Sequence, residues 1–593
     1  MLRDGISDIG RKQRRENFLV AVLSIDILEM LNFLNGVFVF LIDYEPCVDE
    51  FEAHMAQIAP LGLNWRRLLS PINKSLYCFL IESDQEIKAY FLAGIAQFLR
   101  FARKLEFQDI CLETKALADY METEQKLADS YDDFNPIICM IAKIIKEWFK
   151  EFHINDLLPT HGSGSVAEGP LTLKEKYLTM KTDSLIRECL RRECGNFSDY
   201  LDYFPIQPED GLIRCSRTIF VPKTASKLRT ISMEPATLQY LQQGVMYSLY
   251  RYIDKHPYLG YRIKLGDQTQ NQVLALEGSI YRNYGTIDLS AASDSVSWAL
   301  VRKAFRYVPS LFKWLLVTRS SSTLLPTGET IALKKYAPMG SALCFPIQCI
   351  LFSAIIECAK RSYCKQFNIK EFPLFSVYGD DLVVPACIYD QVIDLLCICG
   401  FTVNKTKSYN CGPYRESCGK EYYAGVDISV LLYRIPRYKK ITPSAYSSLC
   451  SAANLCAERN LDNLRSWYIT RIFRSNLTLQ PYFSRYTWRS PCLYSVQPTN
   501  FMSKTWLNRK LQRQEGRFLI VKSRRCRIVE ELDDILLYHE ALINLAKRPN
   551  WKSSGVDELT PTSTLHGTTD YFSSVVMPIN EFYCLDKTKT HDW

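Results

Sequence analysis

Residues 374–385, LFSVYGDDLVVP, decide the reading of this chain. Leu374–Tyr378 and Leu382–Val384 are short apolar runs, each the length of a buried strand. Gly379, Asp380 and Asp381 fall between them, so the segment predicts a β-hairpin with two adjacent carboxylates at its tip. Two carboxylates aimed at one place repel, unless a hard divalent cation sits between them and a further acid. Gly-Asp alone is ordinary turn chemistry, and a plain turn is the competing reading.

A second acidic strand end lies upstream, in GTIDLSAASDSVSW at 285–298. Thr286–Leu289 predicts a short strand carrying Asp288, and the small residues Ser290, Ala291, Ala292 and Ser293 separate it from Asp294. Small side chains there leave room for a large anionic ligand. Asp288, Asp380 and Asp381 together suit two Mg²⁺ ions, with Mn²⁺ as a substitute. Two such ions, about 3.5–4 Å apart, can activate an attacking hydroxyl and stabilise a departing pyrophosphate. Asp294 serves either that site or as N-cap of a helix expected over 295–307, and both readings stay open.

GTIDLSAASDSVS resembles palm motif A of the replicases of levivirus-type single-stranded RNA bacteriophages, and VYGDDLVVP resembles their motif C. GPYRESCGKEYYAGVD at 412–427 is similar to motif E, VPKTASKLRTISMEP at 221–235 to motif F, and LGDQTQNQ at 265–272 to a segment just before motif A. The blocks stand in the family's order. The resemblance implies an α+β chain with a right-hand (fingers, palm, thumb) polymerase fold, an antiparallel-sheet palm, and helical N- and C-terminal regions. It implies an RNA-directed RNA polymerase that replicates a viral single-stranded RNA genome from ribonucleoside triphosphates. The divisions expected are a helical region over 1–160, fingers over 161–280, a palm over 281–435, a thumb and RNA-contacting region over 436–550, and a polar tail over 551–593. Implied partners are RNA template and product, host translation elongation factors Tu and Ts, and a small-subunit ribosomal protein, in the cytoplasm of an infected bacterium.

The resemblance also distributes roles. Lys223, Lys227 and Arg229, on a predicted basic hairpin, become the clamp for triphosphate and template; a solvated basic hairpin is the alternative. Gly340 and Ser341 occupy the motif B position and open a long apolar helix, where backbone N–H groups can approach a nucleotide. Ser341 stands where well-known phage replicases carry Asn, and it reads equally as a simple N-cap. Lys407 falls at the motif D lysine, where it could protonate the leaving pyrophosphate, worth about 10²–10⁴-fold; a surface lysine pair with Lys405 is the alternative. Arg415–Gly419 would hold the growing 3′ end, on the family match alone.

Outside these blocks the sequence is plainer. With 593 residues, 47% of them hydrophobic, the chain can bury several cores, and its net charge of +8 suits a polyanion without requiring one. The 21 cysteines include no C-x-x-C pair, so reduced core thiols are expected, as at Cys344, Cys349, Cys358, Cys397 and Cys399. The apolar run 18–43 contains Asp26 and Glu29, and an acid near a membrane-helix centre costs roughly 2.5–3.5 kcal/mol. It therefore reads as core helix, and no stable membrane insertion is expected. His161, in a Gly/Ser-rich loop without a Walker ending, reads as a packing residue. YFSRYTWRS at 482–490 and the basic run 504–527 suit stacked bases and phosphates, or a solvated face. The Ser/Thr-rich stretch 552–593 reads as a partly disordered tail.

Two other functions fit the same residues. A reverse transcriptase needs a steric block against the 2′-hydroxyl near motif A, and the small polar run 290–295 admits a ribonucleotide. A catalytically inactive RNA-binding palm protein would be expected to have lost a metal-ligating acid, and all three are present.

Overall fold

The computed structural model describes residues 27–60, 63–102, 110–132, 134–154, 157–162, 164–193, 214–224, 227–433, 441–474, 481–484, 492–495, 505–529 and 564–578. They fall into two compact units, the first running to Val430 and the second starting at Leu431.

The first unit opens with helices whose apolar stripes dictate their packing. Helix α1 (Ile27–Tyr44) buries Val37, Phe38 and Leu41, as a core helix should. Helix α2 (Gln85–Arg100) starts at an N-cap, Asp84, whose carboxylate accepts from the Glu86 and Ile87 amides. Its residues Leu92, Ile95, Ala96 and Leu99 pack in the same core as α1 and as Tyr414 and Tyr423. Helix α3 spans Ile110–Lys126. Helix α4 (Pro136–Phe149) has Asn135 as N-cap and Pro at its first turn, and buries Ile138, Ile141, Ile145 and Trp148 along one face.

Strands β1 (Cys215–Thr224) and β2 (Lys227–Met233) form the predicted basic hairpin. After helices α5 (Ala236–Lys255) and α6 (Thr269–Tyr281), strand β3 (Tyr284–Ile287) enters fully buried. Helix α7 covers Trp298–Ala304, and strands β4 (Ser322–Leu324) and β5 (Thr330–Ala332) extend the hairpin's sheet in the order β2–β1–β4–β5. Helix α8 (Cys344–Phe367) is buried through Ala359 apart from Phe345, as its largely apolar sequence requires, and packs against α4. It begins at Cys344, three residues past Ser341, because 338–343 are held in a loop against β2.

The hairpin at 374–385 folds as predicted, into β6 (Ser376–Tyr378) and β7 (Asp381–Pro385). With β3 they make an antiparallel sheet in the order β3–β7–β6. Thr286 pairs with Val383 and Ile287 with Leu382, while Tyr378 pairs with Asp381 across the turn. Helix α9 (Tyr389–Ile398) follows, then the small sheet β8 (Tyr414–Ser417), β9 (Lys420–Tyr423) and β10 (Val426–Asp427). Architecture is thus mixed helix and antiparallel sheet. Cys344, Cys349, Cys358 and Cys399 are buried free thiols, whereas Cys397 is exposed.

In the second unit, helices α10 (Pro443–Glu458) and α11 (Asp462–Phe473) share a core with Phe483, Leu493 and Leu519. Strands β11 (Thr505–Asn508), β12 (Arg513–Val529) and β13 (Thr564–Pro578) form an antiparallel sheet. Within the stretch expected to be a polar, partly disordered tail, residues 564–578 form a strand that pairs with β12 along its length. Thr, Tyr, Phe and Val are strand formers, and their polar neighbours hid that propensity. Arg485, Arg489 and Lys504 lie outside the described residues. Among the described residues, no helix is long and apolar enough to cross a membrane.

Candidate active site

The acidic tip is built by its glycine. Gly379 has φ +63°, and a Cβ on it would stand 2.8 Å from the Phe345 ring. Only glycine takes that turn position without strain. The Gly379 amide donates to Cys349 Sγ at 3.2 Å, tying the turn to α8. Asp380 is exposed at the tip, and Asp381 is half-buried behind it. Asp288 follows Ile287 directly, so the Ile287–Leu382 pairing sets it across from Asp381.

This proximity acts on the charges. Burial, then Asp380, pushes the Asp381 carboxyl up to about 7, with Asp288 adding to the effect and the Cys418 backbone opposing it. Burial raises Asp288 as well; Lys407 opposes this, Asp380 reinforces it, and Asn404 and Lys223 oppose it. Asn404 Nδ2 donates to Asp288 Oδ2 at 3.0 Å, and Lys407 Nζ stands 3.6 Å from the same oxygen. The Ser408 hydroxyl accepts from the Asp288 amide at 3.0 Å. As placed, no three Asp, Glu, His or Cys side chains among the described residues converge on one coordination point. The donor set nonetheless fits a hard divalent cation: the ligands are all oxygen, and burial beside like charge pushes Asp381 up to about 7, a cost that a bound cation would relieve.

Basic residues meet these acids unevenly. Lys223 is lowered by burial and by the nearby Arg229 and Lys407, and Asp380 and Asp288 work against that shift, so its ammonium shares their field. Arg229 is exposed on β2, two residues along from Lys227 and so on the same face. Lys227 is exposed at the start of β2, and nothing ties it to the acids.

Gly340 lies against the same hairpin. Its φ is +125°, and a Cβ there would fall 2.0 Å from the Ser232 carbonyl oxygen. The Ser232 amide donates to Met339 O at 2.7 Å, and the Ala342 amide to Gln242 Oε1 at 3.2 Å, so the loop is pinned to β2 and α5. Buried Ser341 spends its hydroxyl accepting from the Leu343 amide at 3.3 Å, the capping-type reading.

Asp294 is not a helix N-cap. Helix α7 is capped by Ser297, whose hydroxyl accepts from the Leu300 amide. The chain turns at Ala291 (φ +48°), where the Ser295 amide donates back to Ala291 O, and this frees the Asp294 side chain. Its Oδ1 pairs with Lys335 Nζ at 3.1 Å.

Arg415 is a second correction. Its guanidinium is fully buried and donates to the carbonyls of Tyr284, Asn410, Cys411, Gly412 and Tyr414. It locks β8 to β3, its buried donors aimed at backbone carbonyls rather than at a 3′ end. His161 is a packing residue, its ring 4.9 Å from both Tyr177 and Tyr240, and burial pulls its pKa down to about 3.

Behind the acids stand Asn271, which the sequence marks as a possible site neighbour without a role, and Gln272, which it does not mark. Asn271 of α6 donates to Asp381 O at 3.0 Å and to Ser417 Oγ at 3.3 Å, and accepts from Ser376 Oγ at 2.6 Å. Gln272 donates to Cys418 O at 3.2 Å. The run GDQTQNQ was the available signal: consecutive amides on a helix facing a strand pair.

Two acidic strand ends thus meet on a three-stranded antiparallel sheet, with a basic hairpin sharing their field. A profile of the family described as "RNA replicase, beta-chain" matches residues 186–548, more than half of the chain, and the protein belongs to that family. The chain is 35% identical over 219 residues to the RNA-directed RNA polymerase subunit beta of Escherichia virus Qbeta, covering 37% of this chain and 35% of that one. It is likewise 35% identical over 250 residues to that of Enterobacteria phage SP, covering 42% and 40%. It thus spans well under half the length of these relatives. A solved structure titled as the BmCPV RNA-dependent RNA polymerase at elongation state superposes with TM-score 0.40 and 11% identity, over 68% of this chain and 39% of that one.

Proposed function

We propose that the chain is an RNA-directed RNA polymerase of right-hand fold, which copies a viral single-stranded RNA genome from ribonucleoside triphosphates. The observation that carries this reading is Asp288 across the sheet from the Asp380–Asp381 tip, in a chain of the replicase family. Asp288, Asp380 and Asp381 would hold two Mg²⁺ ions, which supply polarisation of the attacking 3′-hydroxyl and neutralisation of the departing pyrophosphate.

This chain's own residues do the rest. Lys223, Lys227 and Arg229 bind the triphosphate by charge. Gly340 lets the 338–342 loop lie close to the hairpin, and Asp294 accepts from the ribose. Attack of the 3′-oxygen on the α-phosphorus forms one P–O bond and breaks the bond to pyrophosphate. Lys407 Nζ delivers a proton to that leaving group, its position fixed beside Asp288 Oδ2.

The relatives are named as beta subunits, which accords with a complex. We place this chain in one with host elongation factors Tu and Ts and a small-subunit ribosomal protein, in the bacterial cytoplasm. Incorporation of labelled nucleotide on an RNA template, with and without bacterial extract, tests this. Mg²⁺-dependent RNA product from ribonucleotides is the expected result. Product from deoxyribonucleotides alone would make the chain a reverse transcriptase, and no product in either condition would refute the enzyme reading.

A further inference from the structure

Lys335 is buried completely, yet it is charged. An ammonium removed from water needs counter-charge close by. Two carboxylates supply it from distant parts of the chain: Asp294 Oδ1 at 3.1 Å and Glu124 Oε2 at 3.2 Å. The Tyr120 ring lies 3.5 Å from the same Nζ. Burial alone would lower the lysine's pKa, but Asp294, Tyr120 and Glu124 together raise it, so the ion is kept.

Glu124 does more than balance charge. Its Oε1 accepts from the backbone amides of Lys334 and Lys335, so α3 fixes both the backbone and the ammonium. The same backbone is laced to the exit of the acidic strand. Trp298 donates to Lys334 O and Tyr336 to Val296 O, each at 2.7 Å. Arg319 Nη2 donates to Lys335 O at 2.8 Å. Asp294 Oδ1 is therefore held by a side chain that cannot shift without breaking several bonds, and Oδ2 is outside that pair.

We propose that Lys335, itself set by Glu124, is a positioning residue that aims Asp294 at the 2′-hydroxyl of the incoming ribonucleotide. Sugar selection then depends on α3, in the N-terminal helical region to which no motif assigns a role. The inference rests on the reading of Asp294 as the ribose acceptor.

The test is the ratio of kcat/KM for ATP over dATP on a primed RNA template, measured with the full chain. Lys335→Met keeps length and removes charge. It is expected to lower the ratio about tenfold, through a higher KM for ATP, the size of loss that follows a misplaced charged hydrogen-bond acceptor. Glu124→Gln keeps an acceptor for the two amides and is expected to lower the ratio roughly threefold with the fold intact. Asp294→Asn tests the reading underneath. If Asp294→Asn leaves the ratio unchanged, Asp294 does not read the sugar and the proposal goes with it. If Asp294→Asn shifts the ratio while folded Lys335→Met or Glu124→Gln does not, the positioning role alone is overturned. Should Lys335→Met fail to fold, Glu124→Gln decides.

Discussion

Replacing Arg100 by Met should show how strongly the N-terminal helices are fastened to the β8–β9 hairpin. Arg100 ends α2, and its guanidinium pairs with Glu421 of β9, with side-chain exposures of 6% and 8%. It also lies over the Phe38 ring, 4.5 Å from its centroid. Burial pulls the guanidinium pKa down, but Glu421 more than restores it, so the guanidinium keeps its charge. Removing one partner strands the other charge away from water, and such breaks cost about 3–5 kcal/mol. Against a typical total of roughly 5–15 kcal/mol, that is a large share. Arg100→Met and Glu421→Met should each destabilise by about that much. The double variant should recover to within about 1 kcal/mol of wild type, because an apolar pair avoids desolvation altogether. A double-mutant cycle by denaturant unfolding gives the coupling, expected at about 5 kcal/mol or more, two single losses of at least about 3 less the residual of about 1. Hydrogen exchange over 85–100 and 414–423 localises it. A single variant within about 0.5 kcal/mol of wild type, or a double variant less stable than either single, would refute the reasoning.

Gly340→Ala places a Cβ 2.0 Å from the Ser232 carbonyl at φ +125°, roughly 2 kcal/mol of local strain or more. Nucleotide incorporation should fall at least about tenfold with RNA binding intact, and unchanged incorporation would contradict the pinned loop. Glu234 is wholly buried, and burial pushes its carboxyl up to about 7, against the Ser320 hydroxyl that donates to it at 2.5 Å. A folded-state pKa above the unfolded value gives stability that is present below about pH 4.5 and lost as pH rises through about 7. The loss is about 3 kcal/mol across that window. Thermal melts at pH 5 and pH 8 should therefore differ less for Glu234→Gln than for wild type, and equal slopes would remove Glu234 as the cause.

The acidic hairpin was legible because two local rules agreed: strand-length apolar runs, and a glycine that only a tight turn explains. Asp288 was legible for the same reason, since a strand that ends in an acid among small residues is a local pattern. Asp294 stayed between two readings in the sequence because the turn at Ala291 depends on a back-bond from Ser295, which no residue pattern announces. Lys335 and Arg415 were beyond reach for a common reason. Charged residues read as surface, and only tertiary structure brings Glu124 to Lys335 or points five carbonyls at Arg415. The strand at 564–578 was hidden because its pairing partner, not its polarity, decides its state.

The account stands on three aspartates acting as one cation-binding set. Asp288→Asn, Asp380→Asn and Asp381→Asn each keep shape while removing a charge, so template-directed ribonucleotide incorporation by the three variants, beside an RNA-binding control, tests it most directly. Each should lose incorporation by about a thousandfold or more while binding RNA as wild type does. Any one of them synthesising RNA at close to the wild-type rate would contradict the shared site.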